Sequence, residues 1–212
     1  NLQLCDVDLH NFGPDLENLE EIFKTQKPKF MLLTHLLGFN ALTDELLDMC
    51  SKYGVTLVED CCESHGAIYQ NNKVGNLGIG STFSFYYGHH MTTIEGGMVC
   101  TNDDKLYNIL RMMRSHGMSR ESLDTEYKKK LIKNNPKIDS KFLFPYSGFN
   151  FRNTEINAVL GIEQLKNLDK YIEIRKRNLK IFDEILGKNN NLFIRFNIEG
   201  NSAMVLPFIC KS

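Results

Sequence analysis

The feature that most limits how this chain can fold is a strand–helix–strand alternation between residues 30 and 60. Phe30-Met31-Leu32-Leu33-Thr34 is apolar almost throughout and reads as a strand buried on both faces. Thr43-Asp44-Glu45 opens a helix with Leu46, Leu47, Met49 and Cys50 available for packing, and Gly54 suits the left-handed position just past its end. Val55-Thr56-Leu57-Val58-Glu59-Asp60 follows as a second buried strand. Two strands joined by a helix lie parallel in one sheet, so the chain is an α/β protein.

The same reading extends along the chain. Gly13-Pro14-Asp15 is a turn into a helix that carries Leu16, Leu19, Ile22 and Phe23 on one face. Thr82 to Tyr86 and Gly97 to Thr101 are further strands, and Asp103 or Asp104 caps a helix through Leu106, Ile109, Leu110 and Met113. Residues 119–141, with lysines at 128 to 130, read as a solvated and partly helical excursion. Ile156, Val159, Leu160, Ile162, Leu165, Leu168 and Ile172 mark a helix long enough to bridge two domains. Leu192 to Phe196 and Ala203 to Leu206 are expected as the first strands of a smaller domain, with Pro207 ending the latter or placing it at an edge. The expected division is a large domain over 1–175 and the beginning of a small α+β domain over 176–212.

Composition excludes several classes. A net charge of -1 gives no general pull toward nucleic acid or membrane. No apolar run approaches the ~20 residues of a membrane span, and the first twenty residues, with Asp6, Asp8, Asp15, Glu17 and Glu20, hold no secretory signal. The six cysteines lack CxxC spacing, so neither a zinc ribbon nor an iron–sulfur cluster is suggested, and a reducing, cytoplasmic setting is expected. The chain starts without methionine and stops soon after a strand-like run, and it is expected to be a fragment of a longer enzyme.

Candidate chemistry gathers at the carboxyl ends of the strands, where open α/β sheets place their ligands. Asp60 ends one strand, and an acid there can grip a metal, take a proton or pair with a cationic heterocycle. Glu63, His65-Gly66-Ala67 and the glycine-rich Gly75-Asn76-Leu77-Gly78 follow, leading into the strand that holds Ser84. If the strands are parallel, Asp60, Ser84 and His89 converge on one rim. Thr34 and His35 end a strand on that rim.

Val58 to Ala67, Gly75 to Gly78 and Phe83 to Gly97, together with Leu32 to Gly38, Ser115-His116-Gly117 and Gly148 to Gly161, resemble the DegT/DnrJ/EryC1/StrS sugar aminotransferases. The resemblance implies a pyridoxal-phosphate enzyme with the aspartate-aminotransferase fold (fold type I). It implies that Asp60 pairs with the pyridinium nitrogen, that Ser84 holds the cofactor phosphate, and that Glu63 lies beside the ring. Asn150 and Arg152 fall in the family's Gly-x-Asn-x-Arg stretch, where the asparagine reaches a neighbouring subunit's cofactor, implying a homodimer with a shared active site. Thr34, His35 and Arg152 are the expected substrate contacts.

One departure matters most. Five residues after Ser84, where the family's aminotransferases keep the lysine that tethers the cofactor, stands His89, and no lysine occurs between Phe83 and Gly97. Imidazole cannot form that tether but can move protons. The substitution resembles the histidine-bearing GDP-4-keto-6-deoxymannose 3-dehydratases of colitose and O-antigen (lipopolysaccharide) biosynthesis. It implies that L-glutamate converts pyridoxal to pyridoxamine phosphate, and that the 3-hydroxyl of a GDP-sugar is then expelled with His89 as base. The alternatives are a histidine-bearing member acting on another nucleotide sugar, a degenerate non-catalytic homologue, and a metal module built from His89, His90, Cys61, Cys62 and His65. Adjacent histidines rarely face one ion, so no metal is expected. His90 is read as structural, and His65 and His116 as packing or loop residues.

Overall fold

A computed structural model describes residues 2–211. In chain order the elements are α1 (Leu16–Gln26), β1 (Phe30–Thr34), α2 (Asp44–Tyr53), β2 (Thr56–Asp60), β3 (Ile68–Tyr69), β4 (Asn72–Lys73), β5 (Gly80–Ser84), β6 (Gly97–Cys100), α3 (Asp104–Met113), α4 (Thr125–Asn134) and α5 (Glu155–Gly187). They form two compact units: residues up to Cys100 together with those from Ile156 onward, and Thr101–Glu155.

The first unit is built on a sheet of order β1-β2-β5-β6. β1, β2 and β5 run parallel, as the strand–helix–strand alternation demands, and β6 returns antiparallel to β5. Helix signals in the sequence are met atom for atom. The Thr43 side chain accepts from the Leu46 N–H, and Gly54 at φ 66° closes α2. The Asp15 side chain caps α1 through the Asn18 N–H. Leu19 and Phe23 of α1 and Leu46 and Cys50 of α2 pack on Leu33, Val55 and Leu57 of the strand side. Each large apolar side chain so buried contributes roughly 1.5–3 kcal/mol. A second cluster joins Leu179 and Leu186 of α5 to Phe39, Phe196 and Ala203.

Three expectations are corrected. β1 is not buried on both faces: Leu33 is 2% exposed, but Phe30 and Leu32 are 65% and 63% exposed. It stands at the end of the strand order, and only the face carrying Leu33 meets the α1/α2 cluster. β5 ends at Ser84 rather than Tyr86, because Phe85 leaves the ladder to bond Gly96 and Thr93. No strand forms over 192–196 or 203–206. There the backbone bonds elsewhere, with a lone bridge between Phe193 and Cys210, and Ser202 and Met204 donating to the carbonyls of Gly38 and Leu37. Along α5, Ile172, Leu179 and Leu186 are buried, whereas Ile156, Val159, Ile162 and Leu165 are exposed.

The second unit holds α3, capped by Asp103, and α4. The lysines at 128 to 130 lie on α4, which buries none of its residues. A bridge between Ser115 and Asn150 ties the end of this unit to the turn after α3.

Candidate active site

Parallel pairing puts Thr34 beside Asp60 and Asp60 beside Thr82, so the strand ends form one rim. Asp60 Oδ1 accepts from the Thr82 hydroxyl at 3.1 Å and from the Cys62 N–H at 3.0 Å. Held at Oδ1 from two directions, the carboxylate is oriented at the rim. Ser84 closes β5 opposite Gly97. Its Oγ accepts the Tyr86 N–H at 3.2 Å, which leaves the hydroxyl hydrogen for donation. Thr34 is exposed on the same rim.

The loop after β5 is tied down at both ends. Phe85 donates to Gly96 O and accepts from the Thr93 N–H, each at 2.9 Å. Asn157, at the start of α5, donates to Thr93 O at 2.6 Å and Glu95 O at 3.0 Å. Within this loop the His89 N–H reaches Tyr86 O at 3.1 Å, and its ring meets the Tyr86 ring edge-on at 5.6 Å. His90 is 5% exposed, and its Nε2 lies 3.3 Å from Ser202 O. Burial pushes the His90 ring down to about 4, so it is neutral at pH 7. A carbonyl only accepts, which assigns the ring hydrogen to Nε2.

Glu59, which sequence reasoning passed over, is the best-connected acid of the site. It is fully buried and accepts from the N–H groups of Gly75 (2.7 Å), Leu77 (2.8 Å) and Gly78 (2.7 Å) and from His35 Nε2 (3.1 Å). Burial by itself would raise its pKa, but the His35 and backbone hydrogen bonds outweigh that and hold it below the usual carboxylate value. The signal was in the sequence. Strand alternation places Glu59 on the face of Leu57, so an inward carboxylate needed donors, and the glycine-rich 75–78 turn supplies them.

His35 requires correction as a substrate contact. It is 0% exposed, its Nε2 is given to Glu59, and its Nδ1 accepts the Ala41 N–H at 3.2 Å, so no ring atom is left for a ligand. His35, Glu59 and Cys61 cluster as a metal centre would. The His35 and Glu59 atoms are already engaged, however, and burial, then the Glu59 charge, push the Cys61 thiol far up, so it keeps its proton. Glu63 spends one oxygen on the Leu37 N–H at 2.7 Å, supporting a turn in which Leu37 has φ 57°. Asn150 and Arg152 belong to the other unit, where Arg152 Nη2 donates to Ser115 Oγ at 2.7 Å.

A mostly parallel sheet of this order, with an acid and a serine at its strand ends, is the large-domain arrangement of the aspartate-aminotransferase-like, fold-type-I pyridoxal-phosphate enzymes. The chain belongs to the DegT/DnrJ/EryC1/StrS aminotransferase family, whose sequence profile matches residues 2–211. Among similar proteins is the GDP-4-keto-6-deoxy-D-mannose 3-dehydratase of Escherichia coli O55:H7, 35% identical over 99% of this chain and 54% of its own length. Its namesake in Yersinia pseudotuberculosis is 34% identical over 100% and 53%. GDP-perosamine synthase of Caulobacter vibrioides is 32% identical over 89% and 46%. A solved GDP-4-keto-6-deoxymannose-3-dehydratase carrying a histidine-to-asparagine mutation and bound GDP-perosamine superposes with a TM-score of 0.82 at 32% identity, covering 98% of this chain and 53% of that one. Another, with a trapped PLP–glutamate geminal diamine, gives 0.83 at 30% identity over 98% and 53%. The chain thus spans about half the length of the relatives it matches. Among the described residues, no helix is long and apolar enough to cross a membrane.

Proposed function

We propose that this chain is the large-domain portion of a pyridoxal/pyridoxamine-phosphate-dependent nucleotide-sugar 3-dehydratase in deoxysugar (colitose, O-antigen) biosynthesis. It acts on a GDP-4-keto-6-deoxymannose-like sugar with L-glutamate as amine donor. The observation that carries this reading is His89, standing without any lysine in the loop from Phe83 to Gly97. The 3-dehydratases among the relatives, and the GDP in the names of three of them, support it.

The rim residues fit the cofactor. The oriented Asp60 carboxylate suits a protonated ring nitrogen, and the Ser84 hydroxyl hydrogen suits a phosphate oxygen. When bound, pyridoxal phosphate supplies an electron sink. The chain's residues do the rest: Asp60 keeps the ring nitrogen protonated, Ser84 anchors the phosphate, and Glu63 flanks the ring with the oxygen not given to Leu37. His89 takes and returns a proton at the cofactor's C4′ carbon. Because imidazole cannot recapture the cofactor as lysine does, the two electrons taken from L-glutamate, left as 2-oxoglutarate, would go to the sugar, whose 3-hydroxyl would leave as water and the nitrogen as ammonia.

Thr34 and Arg152 are proposed substrate contacts, and Asn150 the residue offered to a second subunit's cofactor in a cytoplasmic homodimer. We also assign residues 1–175 to the large domain and 176–212 to the beginning of the small one. The test gives the whole protein glutamate, cofactor and GDP-4-keto-6-deoxymannose. Ammonia and a 3-deoxy-4-keto sugar are expected, with no pyridoxyl group left on the protein after borohydride. Amino sugar accumulating over repeated turnovers, as a perosamine synthase would make, overturns the reading.

A further inference from the structure

Behind the His89 loop lies a group of histidine nitrogens that the proposed chemistry does not use. His65 is 5% exposed, and among the described residues neither of its ring nitrogens has a hydrogen-bond partner. Its ring is walled by Phe83 at 5.5 Å, Phe85 at 6.0 Å and His90 at 5.7 Å. It is held there by Gly66, whose φ of +80° turns the chain and where a Cβ would stand 2.3 Å from Ile172 Cδ1 of α5. The Nδ1 atoms of His89 and His90 are likewise buried without partners among the described residues.

Leaving a buried polar atom unpaired is costly, and folded proteins pair nearly all of them. These rings do not bond one another. A buried water, which both donates and accepts, satisfies such a set. The roles are constrained by chemistry. His90 gives its Nε2–H to Ser202 O, so its Nδ1 is an acceptor. A neutral His65 offers one acceptor nitrogen. A water among these rings that donates to His90 Nδ1 and to the acceptor nitrogen of His65 would be left to accept one hydrogen.

We propose that His65 is a positioning residue for His89, holding a buried water that accepts the His89 Nδ1–H and so keeps the Nε2 of that ring free as the base. This rests on His89 being the base. Burial, and then the His89 charge, push His65 down to about 4, so it stays neutral while His89 is working. The titratable groups facing it are His89 and His90 from the loop. From α5, Arg175 acts on His90 and donates to the carbonyls of Ala203 and Met204.

The test uses the whole protein with ¹⁵N-labelled histidine and no cofactor. His89 is expected as the neutral Nδ1–H tautomer, with a cross-peak from that hydrogen to a long-lived water. His65→Phe should mix the His89 tautomers and move the acidic limb of the pH–rate profile to lower pH, since the imidazolium loses an acceptor. It should lower kcat by about fivefold to tenfold, the scale of one lost hydrogen bond, with KM for the sugar unchanged. His65→Gln, which can still bind the water, should recover most of both effects. Unchanged tautomers and an unchanged profile in His65→Phe overturn the proposal. If neither variant folds, the unaltered protein decides, and a missing water cross-peak overturns it. Failure of His89 as base is read separately, as His89→Asn dehydrating at the parent rate.

Discussion

At the scale of single residues, adjacent acids on β2 divide the labour of the site. Asp60 faces the rim, whereas Glu59 faces inward and binds the 75–78 turn that feeds β5. Glu59→Gln replaces an acceptor oxygen by an NH₂ that confronts backbone N–H donors. We expect a loss of roughly 3 kcal/mol, the scale for breaking a buried charge network, measured as a lower urea midpoint with unchanged slope. Thr82→Val should leave stability nearly untouched but free Asp60 of one of its two hydrogen bonds. The expected outcome is weaker retention of pyridoxamine phosphate on dialysis, by about threefold to tenfold, the scale of one lost hydrogen bond near 1 kcal/mol. The position of Asp60 at the end of β2 and of Ser84 on β5 was legible, because strand pattern and motif agree there. His35 misled, since its position at a strand end says nothing of which side of the rim its ring occupies.

At the scale of elements, legibility followed whether the determining contacts are local. The caps of α1, α2 and α3 are written within four residues of each helix start: of the two candidates Asp103 and Asp104 the cap is Asp103, and Asp15 and Thr43, read as a turn and a helix opening, cap the other two. Thr43→Ala should cost about 1 kcal/mol, seen as a shifted denaturation midpoint, and Thr43→Ser much less. Strands are a different matter, because an apolar run becomes one only where another backbone edge receives it. Ala203 to Leu206 had the composition but is claimed by the Leu37–Gly38 turn, more than 160 residues distant in sequence. Exposure of Leu32 and Phe30 on β1 was hidden for the same reason, since nothing local tells which faces of a strand are covered. The buried stripe of α5, with Ile172, Leu179 and Leu186 seven residues apart, was partly visible as periodicity.

At the scale of the whole molecule, the buried histidines couple the fold to pH. Parallel strands and the rim were legible from one alternation and one motif, but no local pattern reveals that His65 and His90 are both 5% exposed. Both rings are pushed down to about 4, by burial first, from an ordinary value of 6.5. In the unfolded chain they bind protons below about 6.5, while in the fold they resist until about 4, so the unfolded state gains protons first as pH falls. Stability they contribute is therefore whole above pH 6.5 and is lost progressively toward pH 4, by roughly 3 kcal/mol for one such ring. The two rings are in contact, so their losses combine to less than twice that figure. Glu59 acts in the same direction but lower. Its depressed value gives stability that is present above the ordinary carboxylate range and disappears only as pH falls through the folded value. Urea midpoints should thus fall steeply between pH 6.5 and 4.5, before the carboxylates titrate. Replacing His65 by Phe should flatten that stretch of the curve while leaving the more acidic limb in place. A midpoint constant from pH 7 to pH 5 would mean that water reaches these rings freely and that the pocket behind the loop is open.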